Sequence, residues 1–407
     1  MKLVVTHTDF RLYWPARLEA FRHDIEPIGW SLHVIEIAGK GSPYSFAAGN
    51  DTESDDWWTC LFPDDEMESI PAVLASRRLY QALNRENPDV VVAGAIAFPS
   101  GATAVRWARE KGRRVVIFDD ARLRDVRRMG LVNWIKGRIY ANVDAMLVPA
   151  PSHLQDFLSF GLVRESVFFG VDVVNNAYFS NLSAAARKDR ESIRQALNLP
   201  CKFLLGVGRQ VSKKNWCGLL DSWSIFCQEH PDSELGLVLV GNGMERERME
   251  AMVEDVRIPR VEFRDFLDPD TLVKYYALAC GLVLPSFFGE SWGLVVNEAM
   301  AAGLAVLVSR ECGCCEALVE EDVNGWSFDP RNQRELAERI HRLDSLSQAE
   351  RISMGEASCS RISEWGLERF LSGLHDAVQF AARRPMKFAN PIDRLILRLW
   401  KGRYRPS

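Results

Sequence analysis

Two glutamates stand eight positions apart where a strand-like run passes into an apolar helix. Glu290 and Glu298 belong to FFGESWGLVVNEAMAAG (287–303), directly after GLVLPS. In one continuous helix, eight residues would span about 12 Å and set the two side chains roughly 80° apart. This separation does not fit two carboxylates that share one proton, and it favours contacts to the two ends of one long ligand. The alternative for each is an ion pair with an internal Arg or Lys, because burying an unpaired carboxylate is costly.

Two cations occupy a loop after the first strand of the second half. Arg209 and Lys214 lie in GVGRQVSKKN (206–215), at the end of a strand where ligands bind in parallel α/β sheets. Arginine offers a planar fork of donors and lysine a point charge, and together they suit a pair of phosphates. The alternative is two solvated surface cations. The spacing matches neither a P-loop nor a GxGxxG fingerprint, which disfavours nucleoside triphosphates and NAD.

Two further turns offer backbone contacts to a ligand. Gly241 and Gly243 in LVLVGNGMERERME (237–250) would let the chain approach a ligand closely, although an ordinary tight turn explains them equally well. The amides from Ser291 to Leu294 lie at a helix N-terminus, where N–H groups and the helix dipole favour an anion.

The cysteines and histidines give weaker signals. ECGCCEALVEE (311–321) carries three cysteines, but zinc would need a second ligand pair, and the nearby sequence has no matching cluster. We interpret these cysteines as small residues that pack a loop near the ligand cleft, and we expect no metal site. His7 and His153 follow strand candidates, and a structural role is favoured over catalysis for each.

Two segments are basic and amphipathic. RLRDVRRMGLVNWIKGRIY (122–140) contains six Lys or Arg, and the tail from 383 to 407 contains eight with one Asp. Five apolar residues of the tail recur at helical spacing: Ile392, Leu395, Ile396, Leu399 and Trp400. Basic faces with Trp at the edge suit an anionic membrane interface. The alternative is that these helices pack on the protein and expose only their charges.

Composition indicates a cytoplasmic protein. The chain has 407 residues, 47% of them hydrophobic, and a net charge of −5, so nucleic acid is not an expected partner. Its nine cysteines lack the spacing of a disulfide framework, which fits a reducing compartment. The N-terminus turns polar after five residues, unlike a signal peptide. The longest apolar run is far short of the ~20 residues that span a bilayer.

Short apolar runs alternate with helical segments along the whole chain. This alternation predicts two Rossmann-like, doubly wound parallel sheets that face a central cleft. The predicted strands of the first half are 2–7, 31–37, 57–62, 89–95, 114–120, 145–150 and 166–171; those of the second half are 202–209, 235–242, 261–266, 281–286, 304–310 and 324–329. The polar segment 180–195 separates the halves. We therefore predict domains at 1–180 and 181–375, followed by a closing helix and basic tail at 376–407.

In this order, the motifs of the second half resemble those of the retaining GT-B glycosyltransferases, specifically glycosyltransferase family 4. The resemblance covers about 200–330, and its E-x7-E pattern falls on Glu290 and Glu298. The first half is similar only in its alternation of strands and helices. The resemblance implies a GT-B fold and transfer of a sugar from a nucleotide-sugar donor with retention of anomeric configuration.

The resemblance also implies roles for individual residues. Arg209 and Lys214 would bind the donor diphosphate and stabilise its leaving charge in place of a divalent metal. Glu290 would hold hydroxyls of the donor sugar, and Glu298 would hold the ribose. No cofactor beyond the nucleotide sugar is implied. The other predicted donor contacts are Gly208, Asn242, Gly243, Phe266, Leu267, Ser291, Trp292, Gly293 and Leu294.

The first half departs from the family pattern. The usual glycine-rich turn after the first strand is THTDFRLYWPARL here, and a histidine common after the strand RVVIFDD is absent. Asp119 and Asp120 stand there instead, and we predict that one of them meets the reacting sugar. In the second half, Ser291 replaces the usual glycine and Trp292 the usual Phe, and both changes are compatible with the turn.

The sequence thus favours a retaining hexosyltransferase that uses a UDP- or GDP-sugar and a hydroxyl of a glycan or lipid-linked acceptor. The basic segments favour an acceptor at the cytoplasmic face of a membrane, as in the synthesis of cell-surface polysaccharide, lipopolysaccharide or glycolipid. Two alternatives stay open: a nucleotide-sugar epimerase of the same fold, and a non-catalytic scaffold that binds membrane or carbohydrate.

Overall fold

A computed structural model describes residues 1–40, 56–125 and 130–403, and contacts divide the chain into two compact units. The first unit comprises Met1–Val173 and Leu367–Ser407, and the second comprises Val174–Gly366. The division made from the sequence placed 174–180 with the first half and 367–375 with the second, whereas the structure assigns each segment to the other unit.

All the strands predicted from the sequence are present. In chain order they are β1 Lys2–His7, β2 Ser31–Lys40, β3 Trp58–Glu66, β4 Val90–Ala93, β5 Arg114–Phe118, β6 Ala145–Val148, β7 Val167–Phe169, β8 Phe203–Val207, β9 Gly236–Val240, β10 Val261–Arg264, β11 Gly281–Leu284, β12 Ala305–Ser309 and β13 Gly325–Phe328. Six of these strands are short apolar runs buried at every residue, as expected of parallel strands covered on both faces: β4, β6, β8, β9, β11 and β12.

Helices alternate with the strands. They are α1 Trp14–Ile25, α2 Ala72–Glu86, α3 Pro99–Lys111, α4 Gly130–Tyr140, α5 Leu154–Leu158, α6 Asn176–Lys188, α7 Arg190–Ala196, α8 Trp216–Glu229, α9 Arg246–Val256, α10 Pro269–Leu278, α11 Leu294–Ala301, α12 Cys315–Leu318, α13 Gln333–Ser345, α14 Gln348–Ser363, α15 Leu367–Arg383 and α16 Pro391–Leu399. Local sequence sets several ends: α3 begins at Pro99 and is closed by the left-handed Gly112. None of the helices in the described ranges combines the length and apolar composition needed to cross a bilayer.

The first unit contains a parallel sheet of seven described strands in the order β3-β2-β1-β4-β5-β6-β7. The order reverses between β1 and β4, so a ligand site is expected at the carboxyl ends of these strands. Helix α15 covers β5, β6 and β7, although almost two hundred residues separate it even from β7, the last of these strands. Its buried Phe370, Leu374 and Val378 belong to the same core cluster as Leu3 and Val92.

The second unit contains a parallel sheet of six described strands in the order β10-β9-β8-β11-β12-β13. Here the order reverses between β8 and β11. Helices α8 and α13 pack together over one face, where Trp216, Trp223 and Phe226 join Leu336 and Ile340 in the core. Two doubly wound parallel sheets confirm the predicted fold class.

Candidate active site

The loops after β8 and β11 meet at the switch point of the second sheet. The short turn 212–214 follows β8, and the backbone N–H of Phe287, after β11, donates to the carbonyl of Lys213 at 2.8 Å. Because the two strands are neighbours in the sheet, side chains that follow each of them lie at the same edge. The structure therefore brings Lys214 and Glu290 together, as the predicted donor site requires.

Lys214 and Glu290 form an ion pair. The Nζ of Lys214 lies 2.5 Å from Glu290 Oε2, and both side chains are largely buried. Ser286 Oγ donates to the same carboxylate oxygen at 2.9 Å. Burial alone would raise the pKa of Glu290, but Lys214, Ser286 and the charge of Lys213 outweigh it and hold that pKa below its ordinary value. Glu290 is therefore ionised at neutral pH. Ser286 was not identified from the sequence, although it closes the strand-like run GLVLPS.

A second loop holds the turn that carries Glu290. The N–H of Gly313 donates to the carbonyl of Glu290 at 2.9 Å, and the N–H of Cys314 donates to the carbonyl of Trp292 at 3.1 Å. Cys312, Cys314 and Cys315 are buried in this loop. Burial raises the pKa of Cys314 well above its ordinary value, so its thiol stays protonated. Among the described residues, no cluster of His, Cys, Asp and Glu is arranged to hold a metal ion. The cysteines support the turn by packing.

Helix α11 begins at Leu294, directly after the turn. Gly293 precedes it with φ 114°, and a side chain there would collide with Leu284, so glycine is required. The N–H groups of the first helical turn are placed for an anion. Trp292 does not face solvent: it is buried, and its indole N–H donates to Asn297 Oδ1 at 2.9 Å. Its predicted donor contact is through its backbone, which this burial permits.

Glu298 lies within α11 and is buried. It accepts a hydrogen bond from the hydroxyl of Tyr276 on α10. The two glutamates thus differ in setting: Glu290 is paired with a cation in a turn, and Glu298 accepts from a neutral hydroxyl inside a helix. The contact of Tyr276 with Glu298 could not be predicted from the sequence, because a helical pattern does not indicate which side chains of two neighbouring helices will meet.

The turn that carries Gly241 and Gly243 packs against the backbone of the loop after β8. A Cβ on Gly241 would lie 2.0 Å from the carbonyl oxygen of Gly208, and one on Gly243 would lie 2.4 Å from that of Gln210. The N–H of Gln210 donates to the carbonyl of Asn242 at 2.9 Å. The structure therefore accounts for Gly241 and Gly243 by loop-to-loop backbone packing, the alternative to the predicted approach of a ligand.

The remaining predicted donor contacts lie in loops of the same edge. Arg209 is half-buried, and its carbonyl accepts from the indole N–H of Trp216 at 2.9 Å. The exposed Asn242 bonds through its side-chain amide to Asp265 at 2.9 Å. The other positions are half-buried and follow β10 or β11: Phe266, Leu267, Ser291 and Leu294.

In the first unit, Asp119 and Asp120 follow β5 but have different environments. Asp119 is buried, and its carboxylate accepts from the hydroxyl of Tyr140 at 2.7 Å and from the N–H of Ala121 at 2.9 Å. Burial, with Asp120 adding to it, raises the pKa of Asp119, and these hydrogen bonds oppose the rise. Asp120 is exposed. Of the two aspartates, Asp120 is therefore the one placed to meet a solute.

Asp172, beyond β7, is a further carboxylate that sequence reasoning missed. Its Oδ2 is buried, and no described residue forms a hydrogen bond with it. Burial raises the pKa of Asp172 to about 7; Asp120 adds to the rise, while the nearby Arg17 opposes it. The only sequence signal was its position shortly after a strand.

His7 ends β1 inside an aromatic cluster. Burial lowers its pKa to about 4, so its ring is neutral at physiological pH. Its neighbours, with ring centroids between 5.1 and 6.0 Å away, are Phe10, Trp14, Phe98 and Phe118. His153 is fully buried, and its Nδ1 lies 3.2 Å from Ser152 Oγ. Both environments agree with the structural roles favoured for these histidines.

The two doubly wound parallel units define a GT-B fold, and solved structures share it across almost the whole chain. Sucrose-phosphate synthase from Thermosynechococcus elongatus superposes with a TM-score of 0.70 at 16% identity, over 93% of this chain and 98% of that one. Anabaena Alr3699/HepE, solved with UDP and glucose, gives a TM-score of 0.71 at 16% identity over 93% and 99%. At these identities the likeness establishes the fold alone.

Sequence comparison narrows the class. The family model described as glycosyl transferases group 1 matches residues 188–358, which include Arg209, Lys214, Glu290 and Glu298. The chain is 28% identical to D-inositol 3-phosphate glycosyltransferase of Corynebacterium jeikeium over 58% of each chain. It spans between 38% and 58% of the length of the first curated relatives that it matches. The residues that the family model matches all lie in the unit that carries the ion pair.

Proposed function

We propose that this protein is a retaining glycosyltransferase that moves a hexose from a nucleotide sugar to a hydroxyl acceptor. The observation that carries the proposal is the Lys214–Glu290 pair at the switch point of the second sheet. It lies beside the N-terminus of α11, within the region similar to group 1 glycosyltransferases. Cation, carboxylate and helix N-terminus are the three groups that a sugar diphosphate needs: charge for the phosphates, an acceptor for sugar hydroxyls, and backbone donors.

The donor would divide among these groups. Lys214, with Arg209, would contact the diphosphate, and the first amides of α11 would bind its oxygens. Glu290, already ionised, would accept hydrogen bonds from hydroxyls of the sugar. Glu298 would hold the ribose. A ribose hydroxyl would then take over part of the hydrogen bonding that Glu298 now has with the hydroxyl of Tyr276. The donor we propose is a UDP- or GDP-sugar, and we would test a UDP-sugar first because HepE, a protein of the same fold, was solved with UDP and glucose.

In the reaction, the bond between C1 of the sugar and the phosphate oxygen breaks, and a bond from the acceptor oxygen to C1 forms on the same face. The proton of the acceptor hydroxyl passes to the departing phosphate. Negative charge builds up on the diphosphate, and positioned cations and amides stabilise it without a metal. Of the two aspartates that follow β5, Asp120 is our candidate for a contact to the reacting sugar, because it is exposed whereas Asp119 is buried.

The acceptor class we propose is a glycan or a lipid-linked glycan used in cell-surface polysaccharide, lipopolysaccharide or glycolipid synthesis on the cytoplasmic side of the membrane. The support is the basic, amphipathic character of the segments 122–140 and 383–407 in the sequence. The similarity to D-inositol 3-phosphate glycosyltransferase supports glycosyl transfer itself, whatever the acceptor.

The test is release of nucleotide from UDP- and GDP-sugars, with and without acceptors. We expect acceptor-dependent release of UDP, and a fall in kcat of at least ~10²-fold in Glu290→Ala, comparable to removing one electrostatic stabiliser. Glu262→Ala is the matched control, since this glutamate is also paired, with Arg264 at 2.6 Å, but lies on the edge strand β10.

Each alternative has its own signature. Isomerised donor without acceptor would establish an epimerase. Folded protein that neither binds nor consumes any nucleotide sugar would establish a scaffold. A normal rate in Glu290→Ala would remove Glu290 from the mechanism.

A further inference from the structure

The two basic segments singled out in the sequence pack against each other in the first unit, apart from residues 126–129 and 404–407, which lie outside the described part of the chain. Helix α16 contacts both α3 and α4. The guanidinium of Arg138 on α4 donates to Asp393 at 2.8 Å, and Asn142 donates to the other oxygen of Asp393 at 3.1 Å. Asp393 is the one acidic residue of the tail, and it is buried against a cation. The two segments therefore form one surface, on which the acid of the tail is neutralised by a cation of the other segment.

Helix α16 has two apolar sides. On the inner side, Ile396, Leu397 and Trp400 pack on the core of the first unit, and the indole N–H of Trp400 donates to the carbonyl of Ile96 at 2.7 Å. These contacts hold the inner side of the helix against the first unit. The second side faces solvent with three large side chains: Ile392, Leu395 and Leu399, which are 61%, 58% and 72% exposed.

Helix α4 adds to the exposed apolar surface. Leu131 and Trp134 are 63% and 53% exposed on it. We call the exposed apolar side chains of the two helices the α4–α16 face: Leu131, Trp134, Ile392, Leu395 and Leu399. Single exposed apolar residues are ordinary, but five on two helices in contact indicate a surface that meets a partner.

Cations surround this face. Arg394 and Arg398 are exposed on α16, and Lys401 and Arg403 follow it. Glu110 of α3 approaches Arg398 at 3.9 Å and is the acid nearest to that arginine among the ion pairs of the described residues. The apolar outer side and flanking arginines of α16, next to the exposed Trp134 of α4, have the chemistry of a surface that lies in an anionic lipid interface.

We propose that the α4–α16 face docks the first unit on an anionic lipid bilayer. The apolar side chains enter the boundary between headgroups and acyl chains, and the arginines contact the headgroups. The inner side of α16 remains on the protein, so docking requires no unfolding of the tail. The docking depends on neither Lys214 nor Glu290, so it stands or falls separately from glycosyl transfer.

The experiment is sedimentation of the full chain with phosphatidylcholine vesicles, with and without phosphatidylglycerol. We expect binding to the anionic vesicles, weakened at high salt, and at least a ~10-fold lower partition coefficient in the triple variant Ile392→Ser/Leu395→Ser/Leu399→Ser, because buried aliphatic side chains dominate such insertion. Arg394→Gln/Arg398→Gln should lose the preference for anionic vesicles. The matched control is Val73→Ser/Val256→Ser/Ile352→Ser, which removes side chains of similar exposure elsewhere and should bind like the wild type.

Any one of three results would overturn the proposal: a wild type that binds neither kind of vesicle, a control variant that loses as much binding as the face variant, or a face variant that binds as the wild type does. Sedimentation velocity without lipid addresses the rival occupant: a dimer abolished by the face variant, together with no vesicle binding, assigns the face to a second copy of the chain. Circular dichroism establishes that each variant is folded, and the arginine variant tests the lipid contact even where the apolar triple variant fails to fold.

Discussion

The ion pair between Lys214 and Glu290 keeps a carboxylate ionised in a site that would otherwise favour its protonated form. Burial raises the pKa of Glu290, and Lys214 is the largest of the influences that lower it. In the proposed role, Glu290 accepts hydrogen bonds from sugar hydroxyls, and a carboxylate in that role has to be ionised before the donor arrives. By this proposal, Lys214 keeps Glu290 ionised before the donor binds and contacts the diphosphate once the donor is bound.

Replacing this lysine should couple stability to pH. In Lys214→Met, burial of Glu290 is no longer offset, and we expect unfolding of the second unit to cost about 3 kcal/mol less at about pH 8. In the wild type, the stabilisation that comes from the lowered pKa of Glu290 is present above the pKa that this carboxyl has in the unfolded chain. It is lost as pH falls through the lower pKa of the folded state. In the variant, Glu290 takes up a proton at higher pH instead, so the difference between the two proteins should shrink towards about pH 5.

Urea unfolding of the full chain at both pH values measures this effect. Lys213→Met is the control, because Lys213 influences Glu290 by charge alone and more weakly. Equal losses at both pH values would show that Lys214 stabilises the unit by packing and not by its charge.

Two titratable groups of the first unit have opposite effects on its stability. His7, with a pKa lowered to about 4, binds its proton more weakly in the folded state, so stability falls as pH drops from about 6.5 to about 4. Asp172, with a pKa raised to about 7, keeps its proton in the folded state, so stability rises as pH drops from about 7 to its ordinary carboxyl range. In the wild type the two effects largely cancel.

Substituting either group should reveal the pH dependence of stability that the other group causes. Relative to the wild type, His7→Gln should gain up to about 3 kcal/mol in the free energy of unfolding between about pH 6.5 and about pH 4, and Asp172→Asn should lose a similar amount. Hydrogen exchange of the β1 and β4 amides, corrected for intrinsic rates, measures the free energy in the first unit. Parallel profiles for all three proteins would show that neither group titrates as its environment indicates.

At the level of the elements, the proposed donor site depends on loops that hold one another by backbone hydrogen bonds and backbone packing. The turn after β8 and the turn after β9 touch at Gly208 and Gly241, and the loop of Gly313 and Cys314 bonds to the turn after β11. The glycines and small cysteines at these contacts are therefore part of the architecture that aims Lys214 and Glu290.

A methyl group on Gly241 should disturb this arrangement. Its φ is +136°, and the new Cβ would lie 2.0 Å from the carbonyl oxygen of Gly208, so we expect Gly241→Ala to destabilise the unit by about 2–4 kcal/mol and to weaken nucleotide binding. Gly137→Ala is the control: this glycine lies inside α4 with its nearest atom at 3.5 Å, and alanine there should be neutral or stabilising by roughly 0.5–1 kcal/mol. Thermal unfolding and nucleotide titration check both. Normal nucleotide affinity in Gly241→Ala would show that the packing of this turn is not needed for nucleotide binding.

Local sequence determined the elements well and their partners poorly. Every predicted strand is present, because buried parallel strands are short continuous apolar runs that adjacent glycines and polar residues delimit. The meeting of Lys214 and Glu290 was also predictable, since both follow strands near the switch point. Ser286 and Tyr276 were not, because a hydrogen bond between side chains depends on positions that no periodicity encodes. The same holds for α16: its spacing gave an apolar helix, but only packing distinguishes Ile396 and Trp400, which are covered, from Leu395 and Leu399, which are not.

At the scale of the whole molecule, the two units are built differently along the chain. The second unit is one continuous segment, 174–366, with its own sheet and core. The first unit is discontinuous, since α15 returns to it after the second unit is complete. Its core would lose five buried side chains without that helix: Phe370, Leu374, Ala377, Val378 and Ala381. Their burial is worth about 5 kcal/mol or more, which is comparable to the entire stability of a typical domain.

The two units should therefore differ when they are expressed as fragments. We expect 174–366 to unfold cooperatively by itself and to retain nucleotide binding, because its core and the Lys214–Glu290 pair are complete. The fragment 1–173 should remain unfolded, and joining 367–403 to it through a flexible linker should restore a cooperative transition, because α15 then covers β5, β6 and β7 again. Circular dichroism and thermal melting distinguish these states. A stable, cooperatively folded 1–173 would show that α15 is dispensable to the first unit, and an unfolded 174–366 would show that the second unit depends on the first.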